Sequence, residues 1–386
     1  MKRLAEPASA ENPYYARISR KLRVAKYITL LLTVLCVILI LWAYRGGITY
    51  DNLRYLLRDM DTAGHTTLSG DTVYYTANET NEYLFFRGDL AVGSSEGIAF
   101  HRALGSRSFL DEVHFRAPVL VGSEKYMLAY DSGGNSFYVY NSIGRVYDET
   151  LDTPVLAAAA SDDGHFAILT ENKVGSYEIR VYDRNFKKVA GLTRSGDVYA
   201  IGFWGDGRLW LCELLAENAS LCTDFSLYTV GDAEIAGTHR ESGLVLKSGL
   251  TKKGSYLLTD RSLVFLDSAG EETAAYSFGT SDILFADATE DGVAVLLDEN
   301  AMGGGYRASA YFANGDIVTA SVSGGAQGIA LCGRRICLLY DGALTVLNGE
   351  KTSETAIPAG GRRLLCQDKN HVIVCMNDYA SIFPIE

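Results

Sequence analysis

The stretch Ser161-DDGHFAIL, ending at Leu169, decides the fold, because it recurs along the chain. It is a small acidic turn followed by apolar residues at two-residue spacing, as a strand packed on one face requires. The same piece appears as Asp206-GRLWLC, Lys253-GSYLLT, Asp291-GVAVLL, Gly333-RRICLL and Lys369-NHVIVC. Counted from Asp163, successive turns are 43, 47, 38, 42 and 36 residues apart. A period of about 40 residues built from short strands is that of a propeller blade. A second piece lies one strand later in each repeat, at Tyr140-NSIG, Tyr182-DRNF, Leu266-DSAG, Phe312-ANG and Leu347-NGE. Another hairpin, such as Tyr130-DSGGNSFYVY or Leu339-YDGALTVL, falls between the two pieces. Each repeat is therefore read as four antiparallel strands.

First strands are expected near Tyr83, Pro118, Val155, Val198, Gly243, Asp282, Ala326 and Arg362. The last repeat has only three strands, ending at Ile382-FPIE, while Thr72-VYYTA is a lone strand ahead of the first repeat. The lone strand is expected to complete the last blade, which leaves no open edge at the ring seam. The fold class is all-β: an eight-bladed β-propeller over 71–386, or seven-bladed if the first and weakest repeat is not a blade.

Upstream, Tyr27-ITLLLTVLCVILILWA-Tyr44 is a run of 18 residues without a charge. At about 1.5 Å per residue a helix of that length just crosses a hydrocarbon core of about 30 Å. The segment 1–26 before it carries Lys2, Arg3, Arg17, Arg20, Lys21, Arg23 and Lys26 against Glu6 and Glu11, a net +5. Basic flanks stay cytoplasmic, so everything after Tyr44 is expected outside. A cleaved signal peptide is the rival reading, but the basic head is long and LWAYRGG has no clean small-x-small site. Residues 30–42 are apolar all round, unlike the one-sided stripe of a buried soluble helix. With −12 on the whole chain, the remainder after the head carries −17. That excess disfavours nucleic acid and anionic lipid surfaces. Between span and propeller, in 45–70, Leu53, Leu56, Leu57 and Met60 predict a short helix capped by Thr49, followed by a linker over 62–70.

These turns resemble those of WD40-like and quinoprotein-like propellers. The whole layout is similar to a bacterial family of membrane-anchored propellers of unknown function, domain of unknown function 5711. The resemblance covers nearly the whole chain and implies location and fold; its motifs are structural and supply no site residues.

The sequence offers little chemistry. His65, His101, His114, His165, His239 and His371 are scattered, without metal-ligand spacing or a hydrolase motif. Asp131-SGGNS and Asp162-DG read as hairpin turns and match no calcium loop. Only Trp42, Trp204 and Trp210 are present, too few for the repeated Trp docking motifs of quinoprotein dehydrogenases. Arg87-Gly88-Asp89 spells an adhesion tripeptide but falls in the first hairpin turn of the first blade. Asn78-Glu-Thr and Asn218-Ala-Ser match glycosylation acceptors. Besides Cys36 in the span, the cysteines fall in near pairs, Cys212/Cys222, Cys332/Cys337 and Cys366/Cys375. Most are expected as buried free thiols, with Cys332–Cys337 the pair best placed for a bridge. Tyr126, Tyr130, Tyr138 and Tyr140, with Tyr177 and Tyr182, are expected to pack between blades rather than to form a binding face. No catalytic, cofactor or metal residue is assigned.

The leading functional expectation is a membrane-tethered extracytoplasmic binding or scaffold module for an envelope protein or polymer. The alternative is an enzyme acting on envelope polysaccharide or peptide through two carboxylates at the channel mouth, about 5–9 Å apart. A sensor signalling through the 26-residue head is disfavoured because that head is too short for an enzymatic domain.

Overall fold

The computed structural model describes residues 13–43, 50, 53, 72–102, 107–172, 176–204, 207–217, 220–231, 235–299, 305–349 and 351–385. The chain forms two compact units, Met1–Thr62 and Ala63–Glu386. The first holds one α-helix, Pro13–Ala43, of 31 residues. Proline suits the first helical turn because its missing N–H would have no partner there. The helix thus starts within the basic head and runs through the apolar run without a break. Its segment Lys21–Leu39, of mean hydropathy 2.1, is long and apolar enough to cross a membrane, a property it shares with signal sequences. Leu30, Leu31, Leu35 and Ile38 are all exposed around it. Tyr50 and Leu53 are helical; Leu56, Leu57, Met60 and the linker lie outside the described residues.

The second unit is a propeller of eight four-stranded antiparallel sheets. The blades run Glu82–Asp111, Pro118–Thr150, Val155–Arg194, Asp197–Ser242, Val245–Ser277, Asp282–Val322 and Gly328–Ala356, with the eighth formed by Arg363–Pro384 and Thr72–Tyr74. Every first strand begins within two residues of its expected position. Thr72–Tyr74 pairs antiparallel with Tyr379–Pro384, placing Thr72 on Ser381, Val73 on Ala380 and Tyr74 on Tyr379. The Tyr75 hydroxyl then donates to the carbonyls of Met376 and Tyr379, at 2.9 and 2.7 Å. The seam is closed as the sequence predicts, and the eight-blade count holds.

The two-residue alternation has a different cause from the one first assigned. Phe166–Glu171, the second strand of blade 3, is buried on both faces. Phe166 and Ile168 join the apolar cluster against blade 2, whereas Ala167 and Leu169 join the one against blade 4. Blade 7 repeats the pattern, with Ile336 and Leu338 facing blade 6 and Cys337 and Leu339 facing blade 8. The core is thus eight clusters, one at each junction between neighbouring blades. Alternation sorts residues between two interiors rather than between interior and water.

Turn chemistry explains the second repeated motif. The carboxylate of Asp183 accepts the N–H groups of Asn185 and Lys187 at 2.8 and 2.9 Å. Asp267 does the same for Ala269 and Glu271, and Asn141 for Ile143 and Gly144. A short side-chain acceptor two residues before the donor stabilises such a turn. In the first motif, glycine serves two ends: Gly164 and Gly207 have positive φ, 96° and 76°, whereas a Cβ on Gly292 would stand 2.3 Å from the carbonyl oxygen of Tyr311 on the next strand.

All cysteines are free thiols. Cys332 and Cys337 are not register partners, since Cys332 lies opposite Arg335 and Cys337 opposite Ala330. The bridge singled out between them is therefore absent. Instead Cys332, Cys337 and Cys366 meet in the cluster between blades 7 and 8, where hydrogen bonds from the other two thiols and burial push the Cys332 thiol far up. Tyr130, Tyr140 and Tyr182 are buried between blades, as expected.

Candidate functional site

Three regions of the propeller carry unusual side-chain arrangements. The first is the channel mouth at the end where the innermost strands begin. In blades 3, 4, 5 and 6 the pairing register slips near the start of that strand, and the residue passed over is Leu156, Tyr199, Leu246 or Leu284. A bulge re-aims one side chain out of the ladder. Leu156, Leu246 and Leu284 are accordingly 42%, 52% and 42% exposed, although they sit beside buried Val155 and Val245. Tyr199 differs: its hydroxyl bonds to Thr223 at 2.9 Å and accepts the N–H of Val245 at 3.2 Å, tying blade 4 to blade 5. Burial pushes its phenol up to about 12.

The second region is the pair of loop faces. The face around this mouth is acidic, with Glu79, Glu96, Asp131, Asp260, Asp341 and Asp378 against Arg116, Arg261 and Arg362. On the opposite face, acids and bases are balanced and latched across blades. Lys252 bonds Asp291 at 2.7 Å, Arg334 pairs with Asp316 at 2.8 Å, and Asp162 accepts the N–H of Glu124 at 2.8 Å. Two acids of the innermost strands, Asp287 and Glu82, are also matched. Asp287 pairs with Lys247 at 3.6 Å and accepts the N–H of Leu331 at 2.9 Å, so it joins blades 5, 6 and 7. Glu82 is raised by burial, partly offset by Arg363 of blade 8. The partners recorded for both acids are cations or N–H groups, not the second carboxylate that glycoside hydrolysis needs.

The third region is a groove at the seam, of about 490 Å³, lined by Tyr74, Tyr75, Thr76, Glu96, His101 and Arg107 among others. His101 lies on the third strand of blade 1, opposite Arg107 on the fourth. It is 3% exposed, and neither ring nitrogen has a hydrogen-bond partner. Burial, then the Arg107 charge, lowers it to about 4. At neutral pH it is an uncharged imidazole with one donor and one acceptor unused. Leaving a buried polar group unpaired costs about 1–3 kcal/mol.

The other motifs resolve as structure. Arg87 and Gly88 both have positive φ, 47° and 80°, the signature of the tight hairpin turn, and Asp89 is buried. Asn78 donates to Ser95 and accepts from Thr80; Asn218 and His65 lie outside the described residues. Asp131, at the head of its hairpin turn, accepts the N–H groups of Arg116 and Ala117 from the loop before blade 2, at 3.0 and 2.6 Å. His165 and His371 bond the acids of their own turns, Asp163 and Asp368, at 2.8 and 3.0 Å. Among the described residues no group of three or more His, Cys, Asp or Glu is arranged to hold a metal ion. Sequence reasoning passed over the orphaned His101 and the bulged leucines. Their signals are faint: a histidine ending an apolar strand, and leucines where an inner strand begins.

Residues 66–381 match the model of a family described as a family of unknown function, DUF5711. The chain belongs to that family. No curated protein matches the sequence. The DUF5711 propeller resembles a solved eukaryotic initiation factor, with TM-score 0.53 and 10% identity over 81% of this chain and 90% of that one. It also resembles the C-terminal WD40 domain of Sif2, with TM-score 0.51 and 14% identity over 74% and 84%. At these identities the likeness establishes the WD40-like fold alone.

Proposed function

We propose that this DUF5711 protein is a membrane-tethered extracytoplasmic binding or scaffold module, and that it holds a protein partner of the cell envelope at the acidic channel mouth. The observation that carries this reading is the recurrence of one bulge in four consecutive blades, which turns leucines outward in three of them. Exposed apolar residues at one register position, rimmed by acids, are what a protein contact needs. The rim favours a partner segment that carries lysine or arginine beside apolar side chains, because complementary charge steers encounter and sets register. Uncleaved, the helix keeps the propeller at the membrane, and the +5 head favours a cytoplasmic N-terminus.

Two measurements test this reading. In intact cells, a membrane-impermeant maleimide should label a cysteine introduced at Asp341 on the propeller surface; labelling only after lysis contradicts the location. In solution, a fluorescent Lys/Leu amphipathic peptide should bind the full chain in detergent. Its affinity should fall roughly tenfold in the double variant Leu246→Ser, Leu284→Ser, equivalent to about 1.4 kcal/mol. Equal binding by the variant contradicts the docking face.

A further inference from the structure

The seam differs from its neighbours in a way that identifies what the groove lacks. At the junction of blades 1 and 2, Tyr140 lies opposite Arg145 across its own blade. Asp111, on the outer strand of the preceding blade, takes the Tyr140 hydroxyl at 2.8 Å and lies 3.3 Å from the Arg145 guanidinium. At the junction of blades 2 and 3, Tyr182 lies opposite Lys188, with Glu149 of the preceding outer strand beside its hydroxyl. His101 and Arg107 occupy these positions in blade 1: each of the three pairs flanks the same register slip just before the turn. The pairing across the preceding outer strand is equivalent too. Asp111 lies opposite Ile98, Glu149 opposite Phe137, and Val73 opposite Ala380, each against the second residue of a third strand. The seam therefore has valine where its neighbours place an acid. Among the described residues its closing strand is Thr72–Tyr74, three residues long, and the groove opens where that strand ends.

We propose that the seam groove binds the carboxylate of an acidic sugar, held by Arg107 and His101 in place of the acid that the preceding blade supplies elsewhere. Arg107 is exposed, with no hydrogen-bond or ion-pair partner among the described residues. A guanidinium suits a carboxylate because its planar donors match both oxygens. His101 is more than nine-tenths buried, unpartnered and part of the groove wall, so one of its nitrogens can serve a ligand hydroxyl or carboxylate. The remaining lining favours a sugar over a peptide end. The Tyr74 ring is 71% exposed as a flat apolar wall. Glu96, which already accepts the Thr76 hydroxyl at 3.0 Å, can accept sugar hydroxyls, whereas a carboxylate-rich chain would be repelled there. This site is separate from the channel mouth and stands whether or not the mouth binds protein.

The test is calorimetric titration of the full chain in detergent with three probes: a glucuronic-acid disaccharide, the matched neutral glucose disaccharide, and a dipeptide with a free C-terminal carboxylate. The acidic sugar should bind, and the neutral sugar at least roughly tenfold more weakly, the loss of a charged hydrogen bond. Arg107→Gln should weaken the acidic sugar by a similar factor. Val73→Asp supplies the missing acid from within and should abolish binding, while the ring signals of His101 in NMR move as they do when wild type is saturated with ligand. Because Arg107 is exposed, its variant keeps the test decisive if Val73→Asp unfolds. Absence of acidic-sugar binding, equal binding by Arg107→Gln, or preference for the dipeptide would overturn the proposal.

Discussion

The junction between blades 2 and 3 and the junction at the seam are built from the same repeat and reach different ends. The first is filled with rings: Phe166 stacks on Tyr182 at 4.7 Å, Tyr147 on Phe186 at 5.1 Å, and Phe137 contacts both Phe166 and Tyr182. Its acid, Glu149, accepts the Tyr147 hydroxyl at 2.8 Å, so its polar groups are satisfied from within the chain. The seam has a three-residue outer strand, a valine in place of the acid and a buried histidine without partners. Closing a ring with a strand borrowed from the other end of the chain leaves that strand free to be short. The shortfall opens a groove where the other two junctions hold packed side chains.

That contrast can be broken in order of expected effect. Phe166→Ala removes a fully buried ring from the aromatic junction and should cost about 3–5 kcal/mol in denaturant unfolding. A cost near that of an exposed site would show that the stack carries little of the stability. The seam should instead respond to acid. His101 is held well below the ordinary histidine range, to about 4, so its contribution is complete above pH 6.5 and is lost as pH falls towards 4. The loss should reach about 3 kcal/mol and should be missing in His101→Phe. Equal acid sensitivity in that variant would place the effect elsewhere. Tyr140→Phe removes a hydroxyl donated to a carboxylate and should cost about 1.5–3 kcal/mol. Val73→Ala, trimming the closing strand, should cost about 1.5 kcal/mol by lost burial; a cost as large as that of Phe166→Ala would contradict the contrast between the two junctions.

Much of the architecture was legible because it is repetitive. Six copies of the Asp163-Gly164-type turn set the period, and Thr72-VYYTA standing alone announced the closure. The helix was legible from composition, although its start at Pro13 was not, since the charges of the head obscure it. The meaning of the alternation was misjudged: Ala167 and Leu169 face one interior, Phe166 and Ile168 another, and a strand buried on both faces reads like a half-buried one. The candidate sites were barely legible, for a physical reason. Bulges at Leu156, Leu246 and Leu284 arise from pairing register, which a sequence does not display. The orphaned state of His101 depends on Val73, which precedes it by 28 residues and meets it only when the ring closes.

The most direct test of the central claim, that the acidic channel mouth is the working face of a tethered propeller, is photo-crosslinking in living cells from two positions. Benzoylphenylalanine replaces Leu246 at the mouth in one strain and Arg334 on the opposite, balanced face in another. The account predicts one discrete protein adduct from position 246, reduced when Leu284→Ser is added, and none from position 334. An adduct from 334 with none from 246, or one from 246 that ignores Leu284→Ser, would contradict it.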